Sequence, residues 1–479
     1  MAHFDLIIIG TGSGNTIANR NFHHKSVAII EQGTFGGTCS NFGCIPTKMM
    51  VHPANVARQV KESSRVSVNS TFDGTDWADL QRRIFTERID PIAASGEEYR
   101  RGPRTPNVTF FHGTGRFTGP RTVTVDNFDP NVSSPDADPA ELTADNIVIA
   151  TGGRPFIPDV IADSGVDYRT NLDIMRVPEL PKKLTILGGG VVAVEFAHVF
   201  SALGSEVTII NRSPLLRQQD ATLVDAFNDI AAEQWTVHTN REVTAAREEG
   251  DQSVLTLDDG TEVISDVLLV ALGRVPNSDT LDVAAAGVQV DDKGYVVIDD
   301  YARTTAEGVW ALGDAVTPLL LKHVANNDAR VIGHNILHPD DLRTVKRDAV
   351  PAGIFTYPSI ATLGATEEEA QAVASEKNTE ITTYTQRYAD VAYGWAMEDT
   401  TGFCKVIADK NSGQLLGATI MGPEASTLIQ ILTSAMSFGI DVREFAKNQY
   451  WPHPGLSEVV ENALLGLEFS GEVPANVRP

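Results

Sequence analysis

One unit written twice constrains this chain more than any other feature. Asp5-Leu-Ile-Ile-Ile-Gly10 and Leu184-Thr-Ile-Leu-Gly188 are short, β-rich apolar runs that enter glycine clusters and continue into helix-compatible sequence. A second β-branched run follows each, Ser26–Ile30 and Glu206–Ile210. That is the opening of a βαβ unit, so two doubly wound nucleotide-binding domains are expected. The repeats also close alike. Ile147-Val-Ile-Ala-Thr-Gly152-Gly-Arg-Pro155 and Leu268-Leu-Val-Ala-Leu-Gly273-Arg-Val-Pro276 are each a buried strand, a glycine turn and a proline that stops regular structure.

With 479 residues the chain is too long for one core. A third strand of the same type, Val309-Trp-Ala-Leu-Gly-Asp314, follows the second repeat. Beyond about Val350 the pattern becomes mixed, with an amphipathic helix expected over Thr427–Gly439. Asp126–Ala140, rich in Asp, Asn, Ser and Pro, reads as an exposed loop or long hairpin tip. The expected fold class is α/β: two doubly wound Rossmann-like nucleotide-binding domains plus an α+β C-terminal domain. The boundaries expected are 1–153 for the first part of the first nucleotide domain, 154–275 for the second, 276–348 for the central return to the first, and 349–479 for the C-terminal domain.

Charge and cysteine content exclude several functions. A net charge of −25 opposes nucleic acid and anionic membrane surfaces, so neither is expected as a partner. The most apolar long stretch, Leu184–Phe200, contains three successive glycines and Glu195 and is no membrane span. Met1–His3 lead straight into the run Phe4–Ile9, without the pattern of a secretory leader. Three cysteines do not make a disulfide framework, and a cytoplasmic location is expected.

In the first cluster, Gly10-Thr-Gly12-Ser-Gly14-Asn15, Gly10 suits the tight turn and Gly12 lets the main chain reach a pyrophosphate at a helix N-terminus. Asn15 stands where a third small residue is usual, so packing there must tolerate a larger side chain. Glu31 ends the second strand 21 residues after Gly10 and is placed to accept hydrogen bonds from a ribose. The second cluster, Gly188-Gly-Gly190-Val191-Val-Ala193, fits the fingerprint with Ala as its third small residue. Its second strand ends at Asn211-Arg212, with Arg217 close behind and no carboxylate. Arginines there pair with a 2′-phosphate, favouring NADPH over NADH; two solvated arginines in a polar loop are the plainer alternative.

The segment Gly36-Gly-Thr38-Cys39-Ser-Asn-Phe-Gly-Cys44-Ile-Pro-Thr-Lys48 carries the chemistry. Two cysteines five positions apart at the start of a helix can meet across about one turn. The helix N-terminus and Lys48 both favour the thiolate, the reactive form. The local spacing is not that of common zinc ligands and no second Cys or His pair accompanies it, so no metal is expected. In Trp451-Pro-His453-Pro-Gly-Leu-Ser-Glu458, a histidine can take a proton from an attacking thiol and return one to a leaving thiolate, with Glu458 orienting the ring. Read alone, the segment is better explained as a proline-rich turn with an exposed histidine. Cys404 reads as a buried apolar residue in a strand over Gly402–Ala408, and His23 and His24 as solvated.

The two dinucleotide folds and Gly36–Lys48 together resemble the flavoprotein disulfide reductases, and the resemblance covers essentially the whole chain. It implies FAD on the first fold and NADPH on the second. It further implies Cys44 as the flavin-facing thiol and Cys39 as the interchange thiol, with Lys48 paired to Glu195. Thr304–Asp314 is similar to the family's second FAD motif, with Asp314 on the ribityl chain. Thr38, Gly152 and Gly273 are expected to line the cofactors, as are Gly10, Gly12, Gly14, Gly188 and Gly190. His453 and Glu458 are implied to complete the active site of the other subunit, making the protein a homodimer with an interface domain at 349–479. Segments outside these motifs resemble one branch, the actinobacterial mycothione reductases: Gly10–Asn15, Glu31–Gly36, Arg88–Ala93, Ser95–Arg100, Asp390–Asp399, Gln449–Trp451 and Glu461–Gly466. The substrate implied is therefore a small-molecule disulfide, with aromatic faces for its sugars offered by Tyr393 and Trp395, or those two residues buried in the interface-domain core. Glu472–Pro479 has no cysteine, unlike the relatives that relay electrons to a C-terminal pair. Val191 stands where relatives often carry an aromatic residue, which implies a less covered nicotinamide pocket. A dihydrolipoyl dehydrogenase and a flavin-binding redox sensor without turnover are the alternative readings.

Overall fold

The strands of the first repeat are uninterrupted apolar runs because both of their faces are covered. Leu6, Ile7 and Ile8 are all fully buried, as are Ile147, Val148 and Ile149. In the computed structural model, which describes residues 2–139 and 141–470, β1 (Ala2–Ile9) pairs in parallel with β2 (Val27–Glu31) on one side and β6 (Leu142–Ile149) on the other. The sheet order is β3-β2-β1-β6-β5-β4, with β3 at Val108–His112, β4 at Thr114–Gly119 and β5 at Thr122–Asp126. Val309–Ala311 joins in parallel beside β6, so the chain returns to the first sheet after making the second.

The second sheet is four parallel strands in the order Thr236–Thr239, Glu206–Asn211, Lys183–Leu187 and Val267–Val270. The two closing segments noted in the sequence pair with each other. Gly153–Pro155 and Arg274–Pro276 form a two-stranded antiparallel ribbon between the sheets. The C-terminal part is a five-stranded antiparallel sheet, from Pro351–Ile354 at one edge to Ile381–Arg387 at the other. Helices Glu367–Lys377, Ala425–Ser437 and Ser457–Leu465 accompany it. The amphipathic helix thus starts two residues before the expected Thr427. Cys404 lies fully buried in strand Phe403–Asp409, as expected.

Two expectations need correction. No α-helix follows the first glycine cluster; there are only the 3-10 turns Gly14–Thr16 and Arg20–Phe22. Asparagine side chains here compete for main-chain bonds: Asn19 Oδ1 accepts the Asn21 N–H at 2.9 Å. Carbonyls that a helix would satisfy are taken by the buried Arg100 guanidinium, whose Nη1 and Nη2 donate to Ala18 O at 2.9 Å and Asn15 O at 3.0 Å. The close packing expected at Asn15 falls on Gly14 instead, where a Cβ would lie 2.5 Å from that of Ala150. Asn15 turns away to accept from Arg100 Nε at 2.8 Å.

The Asp126–Ala140 stretch does connect the hairpin strands β5 and β6, but it is not free at its tip. Ser133 and Ser134 are buried, and their hydroxyls accept the N–H groups of His112 and Phe110 at 2.9 Å, capping the otherwise open edge of β3. Ala140 and the cysteine-free Glu472–Pro479 lie outside the described residues. Among the described residues no helix is long and apolar enough to cross a membrane.

Candidate functional site

The two glycine turns face each other across a cleft of about 1690 Å³, larger than the roughly 300–1,000 Å³ of a site for one small ligand. Gly10 (φ +106°) and Gly188 (φ +130°) make equivalent turns. A Cβ on either would lie within 2.4 Å of a carbonyl oxygen, Ala150 O for the first and Ala271 O for the second. A Cβ on Gly12, Gly152, Gly190 or Gly273 would meet nothing within 4 Å, so at these points the main chain is bare towards the cleft. Gly14 lies behind the turn and does not line it.

Glu31 is tied to the first turn. Its carboxylate accepts the N–H groups of Thr11 and Gly33, both at 2.9 Å, and the Thr11 hydroxyl. At the equivalent strand end of the second fold, Asn211 folds onto its own loop, donating to Ser213 O at 2.7 Å. Arg212 and Arg217 beyond it are exposed and line the cleft. Helix Val191–Leu203 starts at Gly190 without a side-chain cap, leaving its first N–H groups open to an anion. Val191 is 40% exposed at that helix start and lines the cleft.

The cysteine pair sits where a short helix, Gly37–Asn41, breaks at Gly43 and a long one, Cys44–Glu62, begins. Gly37 (φ +70°) presses against Gly12, where its Cβ would come within 2.9 Å of the Gly12 Cα, so the thiol loop packs on the first glycine turn. Both cysteines are thiols here and hydrogen-bond to each other. That bond lowers the Cys44 pKa to about 7, against the pull of burial and with help from the Lys48 ammonium. The same bond, with burial, pushes Cys39 far up. Cys44 therefore ionises first.

Lys48 lies one turn along and reaches across to the second fold, its Nζ 2.8 and 2.7 Å from the two Glu195 carboxylate oxygens. Phe355 of the C-terminal part completes this junction. Its N–H donates to Glu195 Oε1 at 2.8 Å, and Lys48 Nζ stands 4.4 Å from its ring centroid. Asp314, at the left-handed Gly313 turn, is pushed up by burial, with Arg274 3.9 Å away.

These residues fit two dinucleotides. Bare glycine main chain, a helix N-terminus and carboxylates converge on the cleft, and two buried polar atoms in its wall, Thr151 Oγ1 and Arg274 Nε, have no hydrogen-bond partner, the latter only a 3.9 Å ion pair with Asp314. Among the described residues no three His, Cys, Asp or Glu side chains group to hold a metal.

His453 and Glu458 are brought together, Nδ1 to Oε1 at 2.7 Å, across a cis His453–Pro454 bond. Glu458 also accepts the Gly455 N–H at 3.0 Å, and its pKa is lowered, chiefly by the histidine. The pair is not in the cleft: the His453 side chain is 74% exposed on the C-terminal part, away from Cys39 of the same chain. Tyr393 and Trp395, 44% and 63% exposed, are neither core nor cleft residues. Sequence reasoning missed Arg100 and Phe355. It also passed over Lys405, though a lone lysine in the apolar run Phe403-Cys-Lys-Val-Ile-Ala408 is a visible signal.

The family model described as "pyridine nucleotide-disulphide oxidoreductase" matches residues 4–329, and the dimerisation domain of the same family matches residues 350–464. Mycothione reductase of Mycobacterium tuberculosis is 50% identical over 98% of this chain and 100% of its own length. Mercuric reductase of Streptomyces lividans is 32% identical over 98% and 97% of the two chains, and dihydrolipoyl dehydrogenase of Haloferax volcanii 30% identical over 96% of each. The HOCl-induced flavoprotein disulfide reductase RclA from Escherichia coli superimposes with a TM-score of 0.82 at 27% identity, over 96% of this chain and 99% of that one. With paired nucleotide folds, a thiol pair between them and matches along nearly its whole length, this chain belongs to the pyridine nucleotide-disulphide oxidoreductase family and is an oxidoreductase.

Proposed function

We propose that the chain is a homodimeric, cytoplasmic reductase that uses NADPH and FAD to reduce a low-molecular-weight disulfide, with mycothione as that substrate. FAD occupies the first fold, formed by residues 1–153 and 276–348, and NADPH the second, 154–275; residues 349–479 form the dimer interface. The observation that carries this reading is the hydrogen-bonded Cys39–Cys44 pair beside the Lys48–Glu195 bridge, with Cys44 held near pKa 7.

When bound, FAD supplies the passage of an electron pair from the nicotinamide to the Cys39–Cys44 disulfide. Lys48 stabilises the Cys44 thiolate that results, because its ammonium stands beside that sulfur on the same helix. Cys39 must lose its proton to attack, and its raised pKa makes a base necessary. The partner subunit's His453 supplies that base. The Cys39 thiolate attacks one substrate sulfur, forming a mixed disulfide and expelling the other half as a thiolate, which takes the proton from the imidazolium. Cys44 thiolate then attacks Cys39, closing the internal disulfide and releasing the second substrate thiol. One NADPH and one proton are consumed for two thiols formed.

Identity to the Mycobacterium enzyme, 50% against 30% for the dihydrolipoyl dehydrogenase, favours mycothione over lipoamide. The test is NADPH oxidation by the FAD-loaded protein with mycothione, glutathione disulfide and lipoamide, each repeated with NADH. A preference for mycothione with NADPH is expected. Preference for lipoamide with NADH would overturn the substrate and the role of Arg212 and Arg217, and no turnover with any disulfide would leave a flavin-binding sensor.

A further inference from the structure

One buried cation lies outside everything described so far. Lys405 is in the middle of strand Phe403–Asp409 of the C-terminal sheet and is 4% exposed. Its ammonium reaches groups of another domain as well as its own. Nζ stands 2.7 Å from Asp220 Oδ1 and 2.9 Å from Thr222 Oγ1, both at the start of helix Ala221–Gln234 in the second fold, and 2.6 Å from Glu367 Oε2. Asp220 is 1% exposed, lines the cleft and caps its helix by accepting the Thr222 N–H at 3.0 Å. Its second oxygen accepts the Glu367 N–H at 3.0 Å, from the C-terminal domain. Burial works against its charge, but the Lys405 bond and these N–H groups outweigh it and hold its pKa low. Asp220 is therefore an anion in the wall of the nucleotide cleft.

The loop it ends is the one carrying Arg212 and Arg217. That loop is pinned at Leu215, whose N–H donates to Asn228 Oδ1 at 2.9 Å, and at Leu216, whose N–H donates to Gly189 O at 2.8 Å. A turn closes over Arg217, with the Gln219 N–H donating to Leu216 O at 2.9 Å, and the next anchor after it is Asp220. Arg217 thus stands between two anchors, one inside its own fold and the other made by Lys405 from another domain.

We propose that Lys405 is a positioning residue for the 2′-phosphate end of the dinucleotide, fixing the Arg217 loop from across the domain boundary and offsetting one of the two negative charges, Asp220 and Glu367, that share its ammonium and would otherwise repel that phosphate. The proposal rests on the reading that Arg212 and Arg217 hold a 2′-phosphate. A buried carboxylate three residues from Arg217 opposes an anion unless it is paired. The arrangement also gives the dimerisation domain a part in choosing the reductant, beyond joining two subunits.

The experiment measures binding of 2′,5′-ADP and of 5′-AMP to the FAD-loaded dimer, the second nucleotide lacking the 2′-phosphate. In Lys405→Met, 2′,5′-ADP should bind about tenfold more weakly, the scale of one uncompensated charge near a surface site, while 5′-AMP changes less than about twofold. Lys405→Arg, which keeps the charge, and the double variant Lys405→Met/Asp220→Asn, which removes both charges, should each recover most of the loss. Where Lys405→Met gives no soluble holoenzyme, Lys405→Gln, with a hydrogen-bonding head, carries the same expectation. Equal weakening of both nucleotides, no weakening of either, or no recovery in the double variant would overturn the proposal. Wild-type protein binding 2′,5′-ADP no more tightly than 5′-AMP would overturn the 2′-phosphate reading itself, and this is seen before any variant is made.

Discussion

The two glycine turns begin from nearly the same strand and the same positive-φ glycine, yet they are supported differently. The second runs straight into a regular 13-residue helix, Val191–Leu203, whose own ladder satisfies its carbonyls. The first runs into 3-10 turns, and a distant arginine, Arg100, supplies the donors that the missing helix would have provided. Both turns nonetheless hold bare main chain towards the cleft. What a dinucleotide site requires of the chain is the turn and open N–H groups, and the hydrogen bonds behind them can come from any source. The strand ends differ as well: Glu31 is locked in place by three accepted hydrogen bonds, while Asn211 folds onto its own loop and the arginines beyond it stand exposed at the cleft.

If the first region carries the chemistry and the second only recognition, variants should separate cleanly. Cys39→Ser should lower disulfide turnover roughly 10³-fold or more, while reduction of the bound flavin by NADPH persists in stopped-flow absorbance; normal turnover would break the division. Arg100→Met leaves the Asn15 and Ala18 carbonyls buried without a donor. It should cost about 3 kcal/mol of stability and reduce FAD content after dialysis, with 2′,5′-ADP affinity unchanged. If FAD retention and melting temperature both hold, Arg100 does not replace the helix. Arg217→Ala should lower kcat/KM for NADPH by roughly ten- to a hundredfold and leave that for NADH within about twofold, as steady-state kinetics with both nucleotides would reveal.

The smallest effect concerns the bridge between the regions. Cys44 has a lowered pKa of about 7, so its thiolate is present above that pH and is lost as pH falls through it. The alkylation rate of the reduced enzyme by iodoacetamide should fall tenfold per pH unit below that point. Lys48→Gln removes the adjacent cation and should move the midpoint up by about one unit. An unmoved midpoint would leave the thiolate to the Cys39 hydrogen bond, the Cys44 N–H and Lys322.

Much of the site was legible because its parts are local. The glycine turns and the Gly36–Lys48 segment declare themselves by residue type at short spacing, whereas His453 and Glu458 stood out only through the family resemblance. The failures have a common cause. The sequence around Asn15 is helix-compatible, and the approach of Arg100, 85 residues away, adds to the local pull of Asn19 in making the turns the better solution. The aromatic pair Tyr393 and Trp395 could be read as core or as ligand-facing, and the structure makes it neither within one chain.

The sequence by itself therefore determined the two nucleotide folds, the redox-active cysteine segment and the class of reaction, since strand periodicity, glycine conformation and thiol spacing act within a few residues of each other. Tertiary structure alone decided that Phe355 joins the Lys48–Glu195 bridge, that the two closing segments pair as one ribbon, and that Lys405 reaches Asp220. Those contacts join residues from 119 to 307 positions apart. Their partners are chosen by how separately folded sheets pack, which no local pattern encodes.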